Sequence, residues 1–343
     1  MERVRLTLER LTPPAVLLGA MLCLGVLQSS VAGSQGASPQ TAELPRPPAF
    51  IPPPLNPRGV VLETRQLDEG VYALLSNTPF TDNSGFVVGK NAVLVIDSQF
   101  NGDMARQIIT AVRTVTDLPI RYLVNTNALG DHVLGNYAFP KDTEIIASRS
   151  TVNALKDLSV EKIKQRMAGA VANDMSVFEG TQLRLPTVSF DEQWTIDLGG
   201  RVVEARFFGP GMSSSDTVVY VPGARVAWSG NLIFGADTIP WAQSGNVAGY
   251  RETLQRFAKT YDVRTIVPGH GALTTGESIL LYDRYLAQVQ SDAAAAVQRG
   301  VGVEQFIATA DVPAGYSIAP GLLPLMKGFH QWNLQRAFAE AKR

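Results

Sequence analysis

Ile120-Arg121-Tyr122-Leu123-Val124-Asn125-Thr126-Asn127-Ala128-Leu129-Gly130-Asp131-His132 is the stretch whose reading decides this chain. Its first part, Ile120 to Val124, is apolar enough for a strand. The remainder is a polar loop that ends on a carboxylate beside an imidazole, Asp131-His132. Carboxylate and imidazole are both side-chain types that can bind metals. The same loop also carries Asn127 and Leu129.

Outward from this loop, strands and helices alternate. Val71 to Leu75, Gly85 to Val88 and Val93 to Asp97 are short runs rich in strand formers, broken by turn residues. Met104, Ile108, Val112 and Val115 recur at helical spacing, and Pro119 closes that helix. A polar, helical insert is expected over 150–172. A second strand series comprises Trp194 to Leu198, Val202 to Phe208, Thr217 to Val221 and Arg225 to Ser229. After a helix from Val247 to Tyr261, strand Thr265 to Val267 leads into Pro268-Gly269-His270-Gly271, and 277–343 reads as mostly helical. Two strand-rich halves with interleaved helices predict a layered α/β body, and about 280 residues fit one domain.

Composition bounds the partners. The chain has 343 residues, 45% hydrophobic and 18% charged, with a net charge of −1 and no basic run. Nothing there suits a nucleic acid or an anionic membrane. Residues 1–32 read as an export signal: Arg3, Arg5 and Arg10 precede an apolar segment from Ala15 to Leu27, then Ser30-Val31-Ala32. That segment is shorter than the roughly 20 residues of a membrane span, so no span is expected after cleavage and a periplasmic or secreted location is. An uncleaved anchor is the alternative. The single cysteine, Cys23, falls inside the signal and sits poorly for a lipoprotein acceptor, leaving a mature chain without thiols. Residues 33–59 hold eight of the 21 prolines and are expected to form an extended tether, the folded body starting near Val60.

Several of these stretches, in order, resemble the metallo-β-lactamase superfamily. Asn83-Ser84-Gly85-Phe86-Val87-Val88 and Val93-Leu94-Val95-Ile96-Asp97-Ser98 are similar to its first hairpin. The loop ending in Asp131-His132 resembles its His-x-His-x-Asp-His pattern. Gly209 to Tyr220 resembles the loop and strand of its third histidine, Ser229-Gly230-Asn231-Leu232-Ile233-Phe234 its Gly-Asp-Leu-Phe turn, and Pro268-Gly269-His270-Gly271 its last ligand loop. The resemblance spans roughly Val60 to Thr275 and implies a four-layer αβ/βα sandwich with ligand loops along one edge.

Carried over residue by residue, the resemblance is lopsided. The first metal position, three histidines in the family, becomes Asn127, Leu129 and Met212. The second position is complete in Asp131, His132 and His270, while the bridging aspartate becomes Asn231. The chain holds only three histidines, and His330, in the late helical stretch near Trp332, is expected to be a surface or packing residue. A conventional two-metal hydrolase is therefore not expected.

One zinc or iron ion remains an expectation, held by Asp131, His132 and His270, with Asn231 offering a neutral amide oxygen. Zinc with an open coordination position lowers the pKa of bound water toward about 7. One branch of the family works with a single metal in the second position and carries Asn where Asn127 stands, though it retains the other two histidines. Leu129 and Met212 are expected to dry the pocket, and beyond Asp131, itself a ligand, no independent general base is evident. Ser213 and Ser214 could donate to a substrate carboxylate, or simply form a solvated turn. Trp241 is expected near the pocket mouth, as packing more than as a ligand platform.

Competing readings stay open. Asp131 and His132 could brace loops by hydrogen bonding, with no cofactor and His270 serving only its turn. Met212 with His132 and His270 could form a soft copper(I) site. An oxygenase or electron-transfer use of iron is more remote. At the level of function, a metal-dependent hydrolase acting on a small ester, lactam or thioester competes with an inactive pseudoenzyme that binds a small ligand or a periplasmic protein partner.

Overall fold

The computed structural model describes residues 44–308 and 310–343. The expected signal, Cys23 and the first part of the tether lie outside the described residues.

Alternating burial creates the layers. In β4 (Val93–Ile96), Val93 and Val95 face one side of the sheet while Leu94 and Ile96 face the other. In β10 (Thr217–Val221), Val218 and Tyr220 likewise part company with Val219 and Val221. Such strands are buried on both faces because successive side chains point to opposite sides. Two sheets result. The first has the order β1 (Leu62–Asp68), β2 (Val71–Ser76), β3 (Ser84–Val88), β4, β5 (Ile120–Asn125), β6 (Glu144–Ser148), β7 (Val188–Phe190), antiparallel from β1 to β4 and parallel from β4 to β7. The second runs β12 (Thr265–Val267), β11 (Val226–Trp228), β10, β9 (Val202–Phe207), β8 (Gln193–Asp197), with only the β11–β12 pair parallel.

Ala73, Val87, Leu94 and Val124 of the first sheet pack against Val203, Val219, Val226 and Trp228 of the second. On the outer face of the first sheet lies α1 (Gly102–Val115), through Met104, Ala105, Ile108 and Val112. The outer face of the second sheet is covered by α5 (Val247–Thr260), α6 (Glu277–Gln298) and α8 (Leu323–Ala341), through Leu254, Phe257, Tyr282 and Phe329. This is the expected four-layer αβ/βα sandwich. The short helix α2 (Gly130–Val133) carries Asp131-His132, and the insert forms α3 (Arg149–Lys156) and α4 (Val160–Met167). One turn and a half at Val303–Ala308 makes α7. Among the described residues no helix is long and apolar enough to cross a membrane.

Three strands escape the sequence pattern. β1 is an edge strand whose residues 63–66 are exposed, so it shows no apolar alternation, and β7 has only three residues. In β6 the Ile145-Ile146 pair is too short to stand out beside the polar insert.

Residues 44–59 form no helix or strand and turn at 48–49 and 58–59, but they are not a free tether. They form a strap bound along the body. Gln335 donates to Pro45 O, Ala49 N donates to Gln331 Oε1, and Leu55 N donates to Ala170 O. Phe50 packs its ring against Trp241 and Trp332. Arg58 bonds to Asp174 and Ser176. Proline brings no N–H of its own, so the strap is fixed by a few donors and by the aromatic anchor. Helix α8 accommodates it at Gly328, where an added Cβ would meet Ala49 O at 2.8 Å.

Candidate metal centre

The ligand-bearing loops meet at one edge of the two sheets. His132 leaves β5 through the loop 126–129 and enters the cavity from α2, fully buried. Helix α4 presses on that turn: a Cβ at Gly130 would lie 2.3 Å from Met167 Sδ. His270 comes after β12, and the preceding glycine permits close approach, since a Cβ at Gly269 would lie 2.4 Å from Asn231 Oδ1. Asn231 itself comes from the turn after β11.

Each imidazole is oriented from behind. Asp97, at the end of β4 and in the left-handed region (φ 56°), accepts from Thr126 N (2.7 Å) and Thr126 Oγ1 (2.6 Å) and bonds His132 Nδ1 at 2.8 Å. A non-glycine residue there is strained backbone, tolerated because three bonds fix the carboxylate. His132 Nε2 then points to Asn231 Oδ1, 3.1 Å away, and lies 3.9 Å from Asp131 Oδ2. On the other side, His270 Nδ1–H donates to Phe80 O at 3.0 Å, and the ring stacks on Phe80 with centroids 5.1 Å apart. That bond fixes the tautomer and leaves the Nε2 lone pair facing Asp131 Oδ2 at 3.6 Å.

A buried lone pair aimed at a carboxylate is repulsive unless a cation lies between them. Burial pushes the His270 pKa down to about 4, against the pull of Asp131. For His132 burial also opposes the charged form, but Asp82, Asp97 and Asp131 together outweigh it and raise the pKa well above the ordinary value. Asp82 is the fourth participant. Asp82, His132 and His270 each offer a ligand atom, all within 4.8 Å of one another and all buried, which makes them a candidate metal triad. The donor chemistry fits a divalent transition metal: two imidazoles and two carboxylates.

The residues at the family's first metal position do otherwise. Asn127, fully buried, accepts from Leu129 N at 2.8 Å and shapes its own loop. Leu129 packs against the core between the second sheet and its helices, and Met212 lies within that core, 1% exposed. Ser213 N donates to Asp216 Oδ2 (2.7 Å) while its hydroxyl bonds Ser215, and Ser214 is exposed, so the serine loop is occupied with its own turn. Burial pushes the Asp216 carboxyl up to about 6. Trp241 is a packing residue: 5% exposed, stacked on Phe329 at 4.5 Å and covered by Phe50. It is not among the residues that line the small cavity beside Asp82 and Asp131, and Phe50 of the strap lies against it. His330 is buried in α8 and bonds Tyr285 at 2.7 Å.

Sequence reasoning missed Asp82, the Phe80 carbonyl and the orienting role of Asp97. The last carried a signal, an acid closing the apolar strand Val93–Ile96. Asp82 and Phe80 carried none, because only the β2–β3 connection and its bridge to His270 bring them to the site.

A family profile of the metallo-beta-lactamase superfamily matches residues 77–270 of this chain. Among solved structures, a metallo-beta-lactamase from Pontibacter korlensis superposes with a TM-score of 0.53 at 18% identity, covering 66% of this chain and 99% of that one. TMB-1 does so with a TM-score of 0.52 at 16% identity, covering 66% and 98%. DIM-1 metallo-beta-lactamase, in a structure exposed to ceftazidime, gives 0.52 at 15% identity, covering 66% and 97%. At such identities the likeness speaks for the fold alone.

Proposed function

The chain belongs to the metallo-beta-lactamase superfamily, and from that premise we propose that it is an exported, hydrolase-like protein with one metal site. The superfamily typically binds zinc, and here a single zinc or iron would be held by Asp131, His132 and His270, with Asn231 beside them. The observation that carries this reading is His270 Nε2 set 3.6 Å from the Asp131 carboxylate, both buried, an arrangement that a bound cation would relieve. When bound, such an ion supplies Lewis-acid polarisation of a carbonyl.

The protein's own groups supply the rest. Asp97 and the Phe80 carbonyl hold the two imidazoles in the tautomers that direct Nε2 inward. Asn231 Oδ1 occupies the remaining polar direction at His132. Leu129 and Met212 pack into the core between the second sheet and its helices, and neither side chain can position a nucleophile. Access is narrow as well. Leu55 and Pro57 of the strap, with Val60, Asp82 and Asp131, line a cavity of about 10 Å³, room for about one water. A substrate the size of a small ester, lactam or thioester must displace the strap. The same closure favours a second reading, an inactive relative that binds a ligand or a periplasmic partner through this face.

Hydrolysis of a panel of chromogenic cephalosporin, p-nitrophenyl ester and acyl-thioester substrates separates the two. The first reading expects turnover that is lost on chelation and in His270→Ala. A zinc-loaded protein inert to the whole panel contradicts it and leaves the binding role.

A further inference from the structure

The helices over the second sheet enclose a pocket that shares no residue with the metal centre. It is a groove of about 690 Å³ lined by residues of α6, α7, α8 and the 310–316 segment, room for a small molecule. His330, only 3% exposed, lies at its base. A chain of hydrogen bonds decides where the ring proton sits. Ala242 N donates to Asn333 Oδ1 at 2.8 Å and Asn333 Nδ2 donates to Pro240 O at 2.7 Å, which fixes the amide orientation. The same Nδ2 donates to Tyr285 Oη at 3.2 Å. The Tyr285 hydroxyl proton has no other acceptor among the described residues, so it is given to His330 Nδ1, 2.7 Å away. Burial lowers the pKa of this imidazole to about 4, so at neutral pH its one proton resides on Nε2. That Nε2–H has no partner among the described residues, and its acceptor has to come from the groove.

The charges around the groove say what kind of acceptor suits it. Arg284 and Arg299 line it, both exposed, and neither guanidinium has an ion pair or hydrogen bond among the described residues. Its two carboxylates are engaged: Asp311 pairs with Lys327 at 3.1 Å, and Asp292 accepts from Gln288 at 2.7 Å. Arg284, Arg299 and Lys327 thus outnumber Asp292 and Asp311. Phe306, Pro313 and Leu334 add an apolar lining. We propose that this groove is a second binding site, for a small organic carboxylate with an apolar body, whose oxygen accepts from His330 Nε2–H while Arg284 and Arg299 offset its charge. A single buried donor beside hydrocarbon suits a monoanion with an apolar body better than a heavily hydrated polyanion, and arginine is the side chain that matches a carboxylate geometrically.

The test is nuclear magnetic resonance of the histidine ring nitrogens in the full-length protein, titrated separately with phenylacetate, phenethylamine and inorganic phosphate. Only three histidines contribute, so His330 reports on the groove while His132 and His270 report on the metal centre. The ligand-free ring of His330 is expected to carry its proton on Nε2. Phenylacetate should shift its signals saturably, with a Kd of about 1 mM or tighter, and leave the other two rings unmoved. The double variant Arg284→Gln, Arg299→Gln changes only exposed side chains and should bind at least about tenfold more weakly. A proton on Nδ1, no saturable shift with phenylacetate, or an unchanged affinity in the double variant overturns the proposal. Phenethylamine or phosphate binding as well as phenylacetate overturns the ligand class. None of these outcomes bears on the metal site, which the zinc measurements decide separately.

Discussion

Two walls of side chains at one edge of the sandwich obey opposite rules. On one wall Asp82, His132 and His270 are buried with ligand atoms within 4.8 Å of one another, Asp131 Oδ2 lies 3.9 Å from His132 Nε2 and 3.6 Å from His270 Nε2, and the rings are oriented by Asp97 and Phe80. On the other, Asn127 hydrogen-bonds its own loop, Leu129 packs on the core and Met212 lies inside it. The first wall is costly as it stands and is relieved by a cation; the second is already satisfied. Metal competence in this fold is thus a local property of a wall, and one wall can be apolar without disturbing the sandwich beneath it.

The sharpest way to break the contrast is His132→Ala. Removing the imidazole leaves Asp82, Asp97 and Asp131 buried without it, and the metal-free protein should lose about 3–5 kcal/mol in denaturant unfolding. Unchanged stability would mean the carboxylates are not charged or not buried. On the apolar wall, Met212→His should cost roughly 2–4 kcal/mol and bring no second zinc, since a polar ring enters the core. A gain to two zinc ions per chain would show that this wall too is ready for metal.

His330 is the control, a buried histidine outside the candidate metal cluster, bonded to Tyr285 and with Asp311 acting on it only weakly against burial. Burial lowers its pKa from 6.5 to about 4, so the unfolded chain takes up the proton first. Its contribution to stability is complete above pH 6.5 and fades as the pH falls through about 4, in all up to about 3 kcal/mol. In His330→Gln the loss of stability between those limits should flatten, while zinc uptake stays as in wild type. Equal acid slopes for the two proteins would contradict this. The smallest effect concerns the strap. Phe50→Ala removes the strap's aromatic anchor on Trp241 and Trp332 and should cost about 1–2 kcal/mol while speeding metal uptake severalfold. An uptake rate that does not move would mean the strap is not the barrier.

The layers and the ligand loops were legible because they depend on local chemistry. Val93 to Ile96 and Thr217 to Val221 have the apolar continuity of strands buried on both faces, and Asp131-His132 and Gly269-His270 announce themselves by residue type. Leu129 and Met212 were legible as absences of ligands, which also told how that wall packs. The strap was half legible. Its prolines dictate an extended backbone, but whether an extended segment floats or binds depends on distant partners such as Gln331, Trp241 and Ala170. Asp82 was illegible for a related reason. A lone aspartate in a turn between strands reads as a solvated loop residue until the pairing with His270 buries it.

The central claim is that the polar wall holds one ion. Elemental mass spectrometry of the purified protein, equilibrated with zinc and iron and then dialysed, tests it directly beside His270→Ala. One metal ion per chain in the wild type, falling below about one tenth in the variant, is the expected result. A wild type that emerges empty, or a variant that keeps its metal, would contradict it.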